Sequence, residues 1–133
     1  MIAQECVATI ERALEVTLCY VRERKAFGKP LIESRNSSFT LADAKTEATV
    51  TSVFVAHCVD RLLAGTLDAA TASMAKLWAS EAANRMVDSC LQLHGGYGYV
   101  NEYPIAQMYK DVRVTRIYGG ASEIMKLLIS RSL

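Results

Sequence analysis

The 133-residue sequence has only two prolines, Pro30 and Pro104, and only two histidines, His57 and His94. So little proline leaves long stretches free of helix breakers, and no segment alternates apolar and polar residues for long. An all-helical chain is the expectation. The four cysteines, Cys6, Cys19, Cys58 and Cys90, form no CxxC pair. With two isolated histidines, that spacing offers no metal site. All four thiols lie in apolar helical stretches, where cysteine acts as a small hydrophobe. This points to a reducing compartment, the cytoplasm or one such as the mitochondrial matrix. An excess of either charge is also missing: 15 basic against 14 acidic residues give a net charge of +1. A nucleic acid or anionic membrane is therefore not the expected partner. The most apolar run, Val50 to Leu63, is broken by His57, Asp60 and Arg61. It is shorter than the roughly 20 residues of a membrane span. The opening MIAQECVATIERALE carries early acidic residues and no basic segment, so no secretory signal is expected there.

What the chain does have is apolar content, 51% hydrophobic against 22% charged residues. That is enough to build the core of one domain over residues 1–133. Val7, Ile10, Leu14, Leu18 and Val21 recur at helical spacing and predict a first helix from near Ile2 to about Lys25, stopped by Gly28 and Pro30. Lys29 to Ser38 reads as a polar loop, with Asn36, Ser37 and Ser38 as candidate caps. A second helix is expected from about Phe39 to Leu63, lined by Leu41, Ala44, Ala48, Phe54 and Leu62. A third is expected from about Asp68 to Leu93, carrying Met74, Leu77, Trp78, Met86, Cys90 and Leu93. A short helix follows from Pro104 to Val112, where proline suits the first turn. A last helix begins near Gly120-Ala121, with Ile124, Leu127 and Leu128 inward. Short loops between long helices favour antiparallel neighbours, so the predicted fold is an up-down four-helix bundle with a short extra helix.

Two glycine pairs, Gly95-Gly96 and Gly119-Gly120, flank a tyrosine-rich amphipathic segment. Glycines at helix ends leave backbone N–H groups open to an anionic ligand such as a pyrophosphate. They serve equally as turn punctuation between helices.

Four motifs, RERKAFGKP, QLHGGYGY, EYP and YKDVRVTRIYGGASEI, stand in the same order as in the carboxy-terminal domain of the acyl-CoA dehydrogenase family, which the chain resembles from Cys6 to Leu133. The resemblance implies a bundle that forms the core of a homo-oligomer, a dimer or tetramer, and closes one side of FAD and acyl-CoA sites. It implies that Arg24 reaches the FAD pyrophosphate held by a neighbouring subunit, flanked by Ala26 and Phe27. It further assigns Gln92, Leu93, His94, Gly95 and Gly96 to FAD contacts across a subunit boundary, and Gly120, Ala121, Ser122 and Glu123 to the adenosine side of FAD. Tyr118 and Gly119 correspond to the substrate-facing positions. Asp111 and Arg113 match an acidic–basic pair that would fix the bundle. The intact enzyme would oxidise acyl-CoA to trans-2-enoyl-CoA and pass electrons to an electron-transfer flavoprotein.

Two departures qualify the match. Where many family members have a glutamate base, this chain has Gly119, which cannot abstract a proton. The long-chain type has the same IYGG segment and places its glutamate on the first helix of the domain, at a position that here precedes Met1. Glu5 is the nearest carboxylate and lies about two turns further along. No catalytic residue is therefore assigned in this chain, and the isolated chain is expected to be inactive and not to retain FAD. The second departure is Ser34-Arg35, where the family has an aromatic residue or histidine followed by glutamine. Other readings are a non-catalytic helical oligomerisation module, or the same domain of a flavin oxidase or oxygenase.

Overall fold

A computed structural model describes all residues 1–133. The first helix, α1 (Ile2–Glu23), buries Ala3, Cys6, Ile10, Ala13, Leu14, Thr17 and Val21, an apolar stripe at three- and four-residue spacing. Helix α2 spans Arg35–Leu63 and helix α3 spans Ala69–His94. Two shorter helices, α4 (Pro104–Arg113) and α5 (Ser122–Ser130), follow. The most extensive helix contact is between α1 and α3. Ala13, Ala79, Ala82 and Ala83 are all fully buried. Side chains this short let helix backbones approach closely, and they favour the helical state itself.

Side-chain contacts give the directions of the helices. Near the end of α1, the Tyr20 hydroxyl donates to the carbonyl of His94, the last residue of α3, at 3.1 Å. These two helices therefore run parallel. Between α2 and α3 the partners run in opposite order: Arg85 with Glu47, Trp78 Nε1 with Thr51 Oγ1 at 2.9 Å, and Asp68 with Arg61 at 3.2 Å. The three long helices make the expected up-down-up arrangement, with α4 and α5 packed against α3. No helix is long and apolar enough to cross a membrane.

Several boundaries differ from the sequence reading. Helix α1 ends at Glu23, and the chain then folds into a miniature hairpin, β1 (Lys25–Ala26) against β2 (Lys29–Pro30), antiparallel. Its turn residues Phe27 and Gly28 both have positive φ, 53° and 81°. That matches a type I′ turn, for which Gly28 is suited and Phe27 is not. Strands of two residues are too short to show alternation, so periodicity could not reveal them. Helix α2 begins at Arg35 rather than Phe39, after a 3-10 turn at Leu31–Glu33. Ser38 sits inside the helix and bonds back to the Arg35 carbonyl at 3.0 Å, a use of serine that competes with capping. Asp68 does cap α3: its carboxylate accepts from the Thr71 amide at 2.8 Å and the Thr71 hydroxyl at 2.7 Å. Those bonds, aided by Arg61, pull its pKa down to about 2.

The inward residues were only partly foreseen. Leu62 on α2, Met74 and Trp78 on α3, and Ile124, Leu127 and Leu128 on α5 are exposed, whereas Met125 is buried. A nine-residue helix lying on one neighbour can cover only one stripe. Helix α3 instead buries small and polar residues, Ser73, Lys76 and Ser80 among them, which a count of large hydrophobics misses.

Candidate functional site

The parallel ends of α1 and α3 create a pocket of about 580 Å³ lined by Tyr20, Arg24, Leu31, Gln92, Leu93, His94, Gly95, Gly96, Tyr97 and Val100. Arg24 leaves the helix in an extended conformation, and its guanidinium lies 5.3 Å above the centre of the Tyr97 ring. His94 closes α3. Its Nδ1 is 2.9 Å from the Cys90 carbonyl, and its ring stacks on Tyr20 at 4.3 Å and 22°. Tyr103 meets both rings edge-on, at 5.9 Å and 6.2 Å. Gly95 takes φ 57°, ending the helix while its N–H donates to the Gln92 carbonyl. A Cβ on Gly95 or Gly96 would meet no protein atom within 4 Å. The protein's own packing therefore does not demand a bare backbone at Gly96, and a ligand can lie against it. A permanent cation, an aromatic wall and an open glycine backbone suit a phosphate-bearing ring system.

Burial lowers the pKa of His94, opposed only in part by the Cys90 carbonyl. The ring is 3% exposed and neutral at pH 7, with Nδ1–H directed at that carbonyl. Below its ordinary value of about 6.5 the unfolded chain takes up a proton before the folded one does. Stability is thus expected to fall as pH drops below that value, until the folded ring also protonates. Thermal unfolding midpoints between pH 7 and pH 5 should show this slope, and His94→Phe should flatten it.

The second glycine pair builds a different place. Tyr118 donates from its hydroxyl to Glu5 Oε2 at 3.2 Å. Gly119 and Gly120 have φ 63° and 98°, and a Cβ on either would collide with protein atoms, Ile2 for Gly119 and Met125 for Gly120. Buried Lys76 donates from Nζ to the Gly120 carbonyl at 2.6 Å. Glu81 accepts from Arg116 Nε at 2.9 Å and Ser122 Oγ at 2.7 Å. Burial opposes ionisation of Glu81, but the bonds from Ser122 and Arg116 outweigh it and hold the pKa below the usual value. Two side chains of α3 thus hold the 116–122 segment at three points.

Six of the predicted residues, Arg24 and Gln92 through Gly96, come together in the first pocket. Ala26 and Phe27 stand on the hairpin beside it, with Phe27 fully exposed at its tip. Ser122 and Glu123 line a separate pocket of about 710 Å³ with Phe54, Trp78, Arg85 and Lys126, while Gly120 and Ala121 lead into α5. Asp111 and Arg113 do not pair: Asp111 accepts from Gln107 at 2.7 Å, and Arg113 lines a polar groove with Arg85 and Arg116. They are consecutive-but-one on α4, so their side chains point to different faces. Sequence reasoning missed Tyr20, Tyr103 and Lys76. Tyr20 stands four residues before Arg24, in the last turn of α1, and that spacing was the available signal.

The family model described as "Acyl-CoA dehydrogenase, C-terminal domain" matches residues 1–133. The chain is similar to the long-chain specific acyl-CoA dehydrogenase, mitochondrial, of Rattus norvegicus, 48% identical over 133 residues, covering 100% of this chain and 31% of that protein. It is also similar to an acyl-CoA dehydrogenase of Bacillus subtilis, 39% identical over 132 residues, covering 99% of this chain and 35% of that protein. The crystal structure of an acyl-CoA dehydrogenase from Geobacillus kaustophilus superposes with a TM-score of 0.96 at 39% identity, covering 98% of this chain and 34% of that one. The chain therefore spans about a third of the length of the relatives it matches.

Proposed function

We propose that this chain, which belongs to the acyl-CoA dehydrogenase family as its carboxy-terminal domain, supplies cofactor and subunit contacts to an intact enzyme that oxidises acyl-CoA to trans-2-enoyl-CoA. The observation that carries this reading is the convergence of Arg24 with Gln92 through Gly96 on one open pocket. In the intact enzyme Arg24 and the Gly95–Gly96 backbone would hold the diphosphate of an FAD carried by a neighbouring subunit, and Phe27, at the hairpin tip, would pack on it. FAD, when bound, accepts the hydride. The residues of this chain bind, orient and exclude water. Ala121, Ser122 and Glu123 approach the cofactor from the start of α5, and Tyr118 and Gly119 border the acyl thioester. Gly119 offers no acid–base group, so removal of the α-proton is assigned to no residue of this chain. Electrons leave to an electron-transfer flavoprotein, in a reducing compartment such as the cytoplasm or mitochondrial matrix.

Assembly into a dimer or tetramer is part of this proposal. Phe27, Phe39, Val53, Leu63, Tyr99 and Ile117 are each more than half exposed, apolar side chains that a partner subunit would cover in this reading. The intact enzyme should reduce a dye acceptor with acyl-CoA and show a bound-flavin spectrum. The 133-residue chain alone should give neither, while scattering light as an oligomer. Dye reduction dependent on the isolated chain, or a monomer mass at micromolar concentration, would contradict the assignment of roles.

A further inference from the structure

The Glu5 carboxylate and the Tyr118 hydroxyl meet although 113 residues separate them in sequence. Ile2 and Glu5 are three apart on α1 and so share one face of the helix. The Ile2 side chain occupies the space that a side chain at Gly119 would need, and Glu5 lies about one turn further on, against the preceding residue, Tyr118. The surface beside Gly119 is therefore apolar at Ile2 and becomes anionic within one turn. The Tyr118 phenol is raised by burial and then by Glu5 itself, so it remains a donor at neutral pH. Its single O–H bonds Oε2 of Glu5, a residue exposed to solvent whose carboxylate has room for further donors.

We propose that Glu5 is a specificity-determining residue, whose carboxylate, held by Tyr118 beside Gly119, selects acyl thioesters that carry a hydrogen-bond donor on the acyl chain. This rests on the reading of Tyr118 and Gly119 as the substrate border. A carboxylate is an acceptor only, with room for several donors. A saturated hydrocarbon tail closing over it strips its water and returns nothing, whereas a hydroxyl, amine or amide replaces the lost hydrogen bond. A site built to bond a substrate O–H or N–H discriminates strongly against the analogue that lacks it.

The test compares kcat/KM of the intact enzyme for unsubstituted acyl-CoAs and for isomers of the same length bearing one hydroxyl at successive carbons beyond the β-position. Wild type should prefer one hydroxylated isomer over its parent by about tenfold or more. Glu5→Val should reverse that order. A preference for the unsubstituted chain that is the same in wild type and Glu5→Val would overturn the proposal and leave the dehydrogenase assignment standing. Failure of wild type to oxidise any acyl-CoA would overturn both. The contact has its own check in the 133-residue chain labelled with ¹³C at tyrosine Cζ. Glu5→Gln should lower the pH midpoint of the Tyr118 signal, identified with Tyr118→Phe, and an unmoved midpoint would show that the two groups do not meet.

Discussion

Arg24→Ala is expected to weaken FAD binding by the intact enzyme about ten- to a hundredfold. The guanidinium makes charge-assisted bonds to phosphate oxygens, and hydrogen bonds to a charged group contribute roughly 1.5–3 kcal/mol each. Its placement is prepared before any ligand arrives. The helix ends at Glu23, Arg24 turns outward in an extended conformation, and the Tyr97 ring 5.3 Å away holds the fork over the pocket. Arg24→Lys should restore only part of the affinity, because an ammonium is a point charge and cannot form two parallel bonds. Were Arg24 only a basic residue complementing a helix C-terminus, its loss would cost about 0.3–1 kcal/mol of stability and leave flavin content unchanged. Titration of apo-enzyme variants with FAD, followed by flavin fluorescence, separates these outcomes. Equal dissociation constants for wild type and Arg24→Ala would remove this residue from the cofactor site.

The long helices were legible because their signal is local and repeated. Ile10, Leu14 and Val21 are buried as their spacing predicted, and Asp68 and Pro104 start α3 and α4 as capping and first-turn rules require. What escaped is non-local. The hairpin at Lys25–Pro30 is too short for a period and depends on a positive φ at Phe27, which no propensity predicts. Leu127 and Leu128 are strongly apolar yet face outward, because a pattern of hydrophobic residues shows that a face will be covered and not by what. The candidate site divides in the same way. The motifs pointed to Arg24 and Gln92 through Gly96 separately, and the parallel run of α1 and α3 puts them in one pocket. Glu5, set aside for its distance along the helix, reaches Tyr118 because α1 passes directly beside the 118–120 turn. Lys76 gave no sign in the sequence at all, since a lysine on an alanine-rich helix reads as solvent-facing until the turn at Gly120 is laid over it.

The seam between α1 and α3 carries the other large expected effect. Ile10 is 1% exposed and is among the largest fully buried side chains in the molecule. Truncating a buried isoleucine to alanine removes its transfer free energy and leaves a cavity, together about 2–5 kcal/mol. The loss should fall in the upper half of that range, because much of the surrounding core is alanine and cysteine, which have no long side chains to swing into the space. Ile10→Val should cost about 0.5–1.5 kcal/mol. Urea unfolding of the 133-residue chain, followed by far-ultraviolet circular dichroism, measures both. A loss under about 1 kcal/mol for Ile10→Ala would mean that the seam closes over the gap, and that its tight packing does not set the distance between the helices. The expected loss of about 2–5 kcal/mol is a large share of a typical domain stability of about 5–15 kcal/mol. Tyr20 and Arg24 stand at one end of this seam and His94 at the other wall of the same pocket. Loosening it should therefore degrade flavin binding as well, but through the folded fraction. Arg24→Ala changes affinity at an unchanged unfolding midpoint and Ile10→Ala shifts the midpoint first, so measuring both quantities on both variants distinguishes a contact with the cofactor from the scaffold that aims it.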